Sequence, residues 1–260
     1  MSEKRETLRV AAVADVHCGR GEPDSLRPLF ARAAEEADVL LLAGDVTDHG
    51  RPAEGRALIE ELKEAGELPV LAVLGNHDHE AGEHDELVRI LTDGGIRLLD
   101  GEACEVEGVG FAGVKGFAGG FGSAVLEGWG EAVLKRFVDE AVEEALKLEN
   151  ALARLTTPAR IALLHYAPIR ETIEGEAVEI FPFLGTSRLE DALSRFPVSA
   201  VFHGHAHIGS FEGRTRDDVP VYNVSVKVLE KTFPDRIPIH VIEVPLDGSD
   251  VASPADRQSG

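Results

Sequence analysis

At 260 residues and 43% apolar content, the chain is long enough to bury a large core, and it reads as one domain. Its 47 acidic residues against 26 basic ones give a net charge of -21, which repels polyanions and argues against long nucleic acid as a partner. No apolar run approaches the roughly 18 residues that span a bilayer, and the polar stretch Met1 to Thr7 lacks the character of a secretory leader. No membrane partner is expected, and with only Cys18 and Cys104 for thiol chemistry a reducing, cytoplasmic setting is the default expectation.

The first hundred residues alternate short apolar runs with amphipathic stretches. Leu8 to Ala14, Val39 to Ala43 and Val70 to Leu74 read as strands buried on both faces. Between and after them, Asp24 to Ala37, Pro52 to Ala65 and Glu83 to Asp93 carry apolar residues at helical spacing. Asp24 and Pro52 suit helix starts, and Gly66 and Gly94 suit helix ends. This order predicts a parallel sheet with covering helices, whose functional groups gather beyond the carboxyl ends of the strands.

From Ile96 to Val114 the pattern shortens into β-like pieces, and a glycine-rich stretch, Lys115 to Gly130, follows. Glu131 to Leu155 reads as a long helix, stopped by Thr156, Thr157 and Pro158. After the strand Ile161 to Leu164, Tyr166 to Thr186 reads as loop. Ser187 to Phe196 reads as a short helix leading into the strand Val198 to Phe202. Val219 to Val228 and Ile237 to Val244 read as closing β-structure, and Leu246 onward as a loose tail.

Five of the apolar runs stop within a few positions of a residue type that binds hard or borderline metals. These are Asp15-x-His17, Gly44-Asp45, Gly75-Asn76-His77-Asp78, His165 and Gly204-His205-x-His207. Each has a bland reading: Asp15 as a strand-end turn, His17 as a surface histidine, His165 as a structural histidine after a strand. Two divalent ions at catalytic spacing need a shared ligand, and a carboxylate with two oxygens, here Asp45, suits that position. Imidazole and carboxylate together favour manganese, iron, zinc, cobalt or nickel over calcium.

Taken in order, these blocks resemble the signature of the calcineurin-like metallophosphoesterases over residues 15 to 207. The resemblance implies an α/β fold, a four-layer αββα sandwich of two mixed β-sheets flanked by helices. The domain would span 1–246, with 247–260 as a flexible tail. It implies two divalent metal ions sharing Asp45, one completed by Asp15, His17 and His207, the other by Asn76, His165 and His205. His77 would protonate the leaving oxygen, with Asp78 its orienting partner by sequence and Asp48 the alternative by geometry. Water ionised between the ions would attack phosphorus. The expected substrate is a small-molecule phosphoester, nucleotides among the candidates. The competing reading is a non-catalytic binding or scaffold protein of the same fold, which would show eroded ligands, and none is missing.

The remaining candidates are weaker. His203 is expected to pack beneath the site, and His49, His79, His84 and His240 to lie at the surface or behind the ligands. His79 and Arg20 are candidates for touching substrate. Phe121, Trp129, Tyr166, Phe181 and Phe183 either line the pocket or fill the core. Cys18 receives no catalytic role, and the triplet Asn223-Val224-Ser225 reads as accidental.

Overall fold

The computed structural model describes residues 5–249 and Val251. Most of the tail expected from 247 onward therefore lies outside the described residues. In chain order the elements are β1 (Thr7–Val13), α1 (Arg27–Glu36), β2 (Val39–Ala43), α2 (Pro52–Leu62), β3 (Val70–Val73), α3 (His84–Asp93), β4 (Ile96–Leu98), β5 (Glu102–Val106), β6 (Val109–Val114), α4 (Ala132–Ala153), β7 (Ala159–Leu164), α5 (Phe181–Leu184), α6 (Ser187–Leu193), β8 (Ala200–His203), β9 (Glu212–Arg214), β10 (Pro220–Asn223), α7 (Val226–Thr232) and β11 (His240–Pro245).

Two mixed sheets are stacked, with helices on their outer faces. One has the strand order β11-β1-β2-β3-β4, the other β5-β6-β7-β8-β10-β9. Strands β1 to β4 run parallel, as do β6, β7, β8 and β10, while β11, β5 and β9 join antiparallel. Alternation in the second sheet builds two cores at once. Phe111, Ile161, Leu163 and Phe202 face the first sheet, whereas Ala112, Val114, Ala162, Leu164 and Val201 face α4 and α6 through Leu148, Leu152 and Leu189. Burial on both faces is why these strands read as unbroken apolar runs rather than as alternating ones. The sheets approach closely at Gly113, where an added Cβ would lie 2.7 Å from Leu99 Cβ and 2.9 Å from Val73 Cγ1.

The structure corrects several expectations. Asp24 does not start a helix: it sits in a left-handed turn at φ 64°, and α1 begins three residues later. Within Val219 to Val228 only Pro220–Asn223 is strand, because the chain turns at Ser225 and continues as α7. The segment ending at Pro245 completes the first sheet and not the second: β11 lies antiparallel beside β1, with Val10 opposite Ile242. The stretch between Tyr166 and Thr186 holds two 3-10 turns and α5. His240 is buried, its ring 4.7 Å from that of Tyr222 and 4.9 Å from that of Phe211. Apolar content alone could not assign the last strand to a sheet.

Candidate metal centre

The five blocks converge where β1, β2, β3, β7 and β8 end, so both sheets contribute to one site. Asp15 and His17 follow β1, Asp45 follows β2, Asn76 to Asp78 follow β3, His165 follows β7, and His205 and His207 follow β8. The strand ends are stitched together: Asp15 N–H donates to the Gly44 carbonyl and His17 N–H to the Asp45 carbonyl, each at 3.0 Å. Seven non-glycine residues among those described have positive φ, and four of them are Asp15, His17, Asp45 and His205. Such backbone is costly for a residue with a Cβ and clusters where function requires it. Here it turns four donor side chains toward one point.

Two glycines make the approach possible. A Cβ on Gly75 would overlap the Asp45 carboxylate and lie 2.7 Å from the His165 ring, and Gly44, at φ 86°, passes directly under that ring. A side chain at either position would push Asp45 and His165 apart.

The donor atoms form three overlapping groups, each with its atoms within 4.8 Å of one another: Asp15, His17 and His207; His17, Asp45 and His77; Asp45, His165 and His205. Asp45, 1% exposed, belongs to the last two groups, and the middle one joins it to His17 of the first. His207 Nε2 lies 3.1 Å from Asp15 Oδ1, and His165 Nε2 lies 3.4 Å from Asp45 Oδ1 and 3.0 Å from Asn76 Oδ1.

The protonation pattern is that of a cation site. His165 Nδ1 donates to the Ala43 carbonyl at 3.0 Å, so its Nε2 lone pair points at the oxygens of Asn76 and Asp45. Three lone-pair atoms facing one another need a proton or a cation between them. His205 Nε2 donates to the Phe183 carbonyl at 3.1 Å, which frees Nδ1. Such outer hydrogen bonds fix the tautomer of metal-binding imidazoles. His17 is buried with neither ring nitrogen hydrogen-bonded among the described residues. These atoms fit divalent cations and leave the ring nitrogens poorly satisfied otherwise.

The titration behaviour agrees. Burial pushes His17 down to about 4 and His205 down to about 3, and it lowers His165, so all three are neutral donors near pH 7. Burial, then the charges of Asp15 and Asp78, raises Asp45 to about 8. That is the mark of carboxylates crowded together. Burial works against the Asp15 carboxylate too, yet the hydrogen bond with His207 and the nearby imidazoles hold it well below its ordinary range. The same bond raises His207.

The expected pairing of His77 with Asp78 is corrected. The Asp78 carboxylate, buried at 1% exposure, accepts from Thr47 N–H and Oγ1, Val46 N–H and Gly75 N–H, at 2.6 to 3.2 Å. It locks the β2 and β3 turns together. His77 Nδ1 instead donates to the backbone carbonyl of Asp48 at 2.7 Å and lies 3.2 Å from Glu80 Oε1. The Asp48 carboxylate is 3.4 Å from His17 Nδ1 and is paired with Arg20 at 2.6 Å.

His203 lies beneath the site as expected, bonded to Gly204 O and Thr172 Oγ1. Tyr166 is buried with its ring 4.4 Å from that of His205, Phe183 is 57% exposed beside the same histidine, and Trp129 is exposed. His79 stacks on His84 with ring centroids 4.5 Å apart. Both cysteines are free and buried. The supporting carbonyls of Ala43, Asp48 and Phe183 escape sequence reading because a backbone carbonyl carries no residue signature.

With this geometry, the chain belongs to the calcineurin-like phosphoesterase family, whose model matches residues 8–209. It is 38% identical over 88 residues to the DNA double-strand break repair protein Mre11 of Methanopyrus kandleri, a match covering 27% of this chain and 19% of that protein. The fold resembles that of phosphopantetheinyl hydrolase from Mycobacterium tuberculosis, with a TM-score of 0.64, 16% identity, and coverage of 94% of this chain and 95% of the other. A purple acid phosphatase from yellow lupin, Lupinus luteus, gives a TM-score of 0.55 at 13% identity, over 86% of this chain and 44% of its own. Among the described residues no helix is long and apolar enough to cross a membrane.

Proposed function

We propose that this chain hydrolyses a small phosphoester with two divalent cations held by the seven residues converging on Asp45. The observation that carries the reading is the buried Asp45 carboxylate, which shares one donor group with His165 and His205 and another with His17, itself grouped with Asp15 and His207, while Asn76 lies beside His165. When bound, such a cation pair would acidify a water between its members and draw off charge from phosphoryl oxygens.

The chain's own side chains define the remaining tasks. Asp15, His17 and His207 would hold one cation, Asn76, His165 and His205 the other, with Asp45 available to both. His77, 23% exposed and edge-on to His17 with centroids 4.6 Å apart, is placed to give a proton to the leaving oxygen. The Nδ1–H bond to the Asp48 carbonyl fixes the ring orientation, and as an imidazolium His77 would carry its transferable proton on Nε2. Asp78 positions rather than transfers, because its oxygens are spent on the two turns.

A cavity of about 640 Å³ opens beside Asp15, His17 and His207, and its basic side chains are Arg20 and Lys227. That volume suits a small molecule and the net charge disfavours a long polyanion, so a nucleotide-sized ester is the substrate class we favour. The test is nitrophenol release from mono- and bis-nitrophenyl phosphate with and without manganese, in the parent and in Asp45→Asn. Manganese-dependent turnover that falls by about 10² or more in the variant supports the reading. Equal rates in the two proteins, or two ions bound with no ester hydrolysed, would overturn it in favour of binding without turnover.

A further inference from the structure

We propose a third divalent-cation site, made by His49, His77 and Glu80 at the outer side of the candidate centre and readable by binding alone.

The Glu80 carboxylate straddles two imidazoles, with Oε2 2.8 Å from His49 Nδ1 and Oε1 3.2 Å from His77 Nδ1. The donor atoms of the three residues lie within 4.8 Å of one another. Two turns hold them there. His49 N–H donates to Glu54 Oε2 at 2.9 Å, Glu80 N–H to the His77 carbonyl at 3.1 Å, and Ala81 N–H to the His49 carbonyl at 2.9 Å. The arrangement therefore belongs to the backbone and not to a chance meeting of surface side chains. All three side chains reach solvent, at 43%, 23% and 44% exposure, so an ion can enter.

The donor set is two imidazoles and a carboxylate, the zinc-type combination that leaves a fourth position for water. It uses the Nδ1 side of the His77 ring, which faces Glu80 and the Asp48 carbonyl. An ordinary surface ion pair between His49 and Glu80 is the simpler reading. What favours a cation is that one carboxylate is shared by two imidazoles, on a protein whose charge of -21 concentrates cations.

Zinc chloride titrated into the chelator-stripped full chain tests this, with ions counted by calorimetry and elemental analysis in the parent, His49→Ala and Glu80→Gln. The expected result is one weaker ion in the parent that both variants lack, with the tighter ions kept by all three. Zinc should also shift the His49 ring proton resonances in NMR spectra. Equal ion counts in all three proteins, or an unmoved His49 signal, would overturn the site. An ion lost on His49→Ala in a protein that Asp45→Asn does not affect would leave the site standing and the phosphoesterase reading fallen.

Discussion

At the scale of single residues, the site depends on how closely donors can be brought together without their cations repelling or their backbones clashing. Gly75 is the sharpest case: Gly75→Ala should fold but hold fewer divalent ions per chain, because the new methyl overlaps the Asp45 carboxylate. Elemental analysis after dialysis against manganese reads this directly, and an unchanged count would contradict the geometry. His77→Ala should separate chemistry from binding, keeping the ion content while losing about 10² to 10⁴ in turnover. A variant that loses its ions as well would make His77 a ligand rather than an acid. Which residue orients His77 was beyond the sequence, since the adjacent Asp78 turns inward to Thr47 and the work falls to the carbonyl of Asp48.

At the scale of elements, the two sheets meet at β6 and β3, and Gly113 is small because Leu99 and Val73 occupy the space a side chain would need. Gly113→Val should cost on the order of 1 to 3 kcal/mol in denaturant unfolding, the usual range for overpacking. A variant as stable as the parent would show that the sheets can part without penalty. Strand β11 carries a pH signature. Burial lowers its His240 to about 4 from an ordinary 6.5, and the ring's Nε2 has no hydrogen-bond partner among the described residues. Between those values the unfolded chain takes up a proton that the folded chain refuses. Stability present above pH 6.5 is therefore lost as pH falls toward 4, by roughly 3 kcal/mol for this group. His240→Phe should flatten the dependence over that window, and an unaltered slope in chemical unfolding at pH 4.5 and pH 7 would remove His240 as its source.

At the scale of the whole molecule, five strand ends from two sheets meet at the candidate centre, so ion binding should clamp the halves together. Free manganese at about 100 times its dissociation constant should stabilise the fold by about 2.7 kcal/mol, visible as a higher midpoint in thermal unfolding that a chelator reverses. No shift on adding or removing ions would mean that the buried donors do not bind them.

How much was legible differs by feature for physical reasons. The strands β1, β2, β3, β7 and β8 could be read because burial on both faces leaves continuous apolar runs, and the ligand candidates because each sits where such a run stops. The long helix α4 showed through its apolar spacing. The sheet that receives the last strand, the helix after Ser225 and the burial of His240 were not legible, because edge pairing and ring packing depend on partners more than 200 residues away along the chain for β11 and β1. By itself the sequence pointed to the family and, through that resemblance, to the two-sheet architecture and the candidate donors, since motif spacing and residue chemistry are written in the order of side chains. Only the tertiary structure decided that Asp45 shares donor groups with both His17 and the His165–His205 pair, that Asp78 braces the turns, and that Glu80 joins His49 to His77. Those are relations between distant turns, fixed by how the strand ends pack and by backbone carbonyls that no side chain announces.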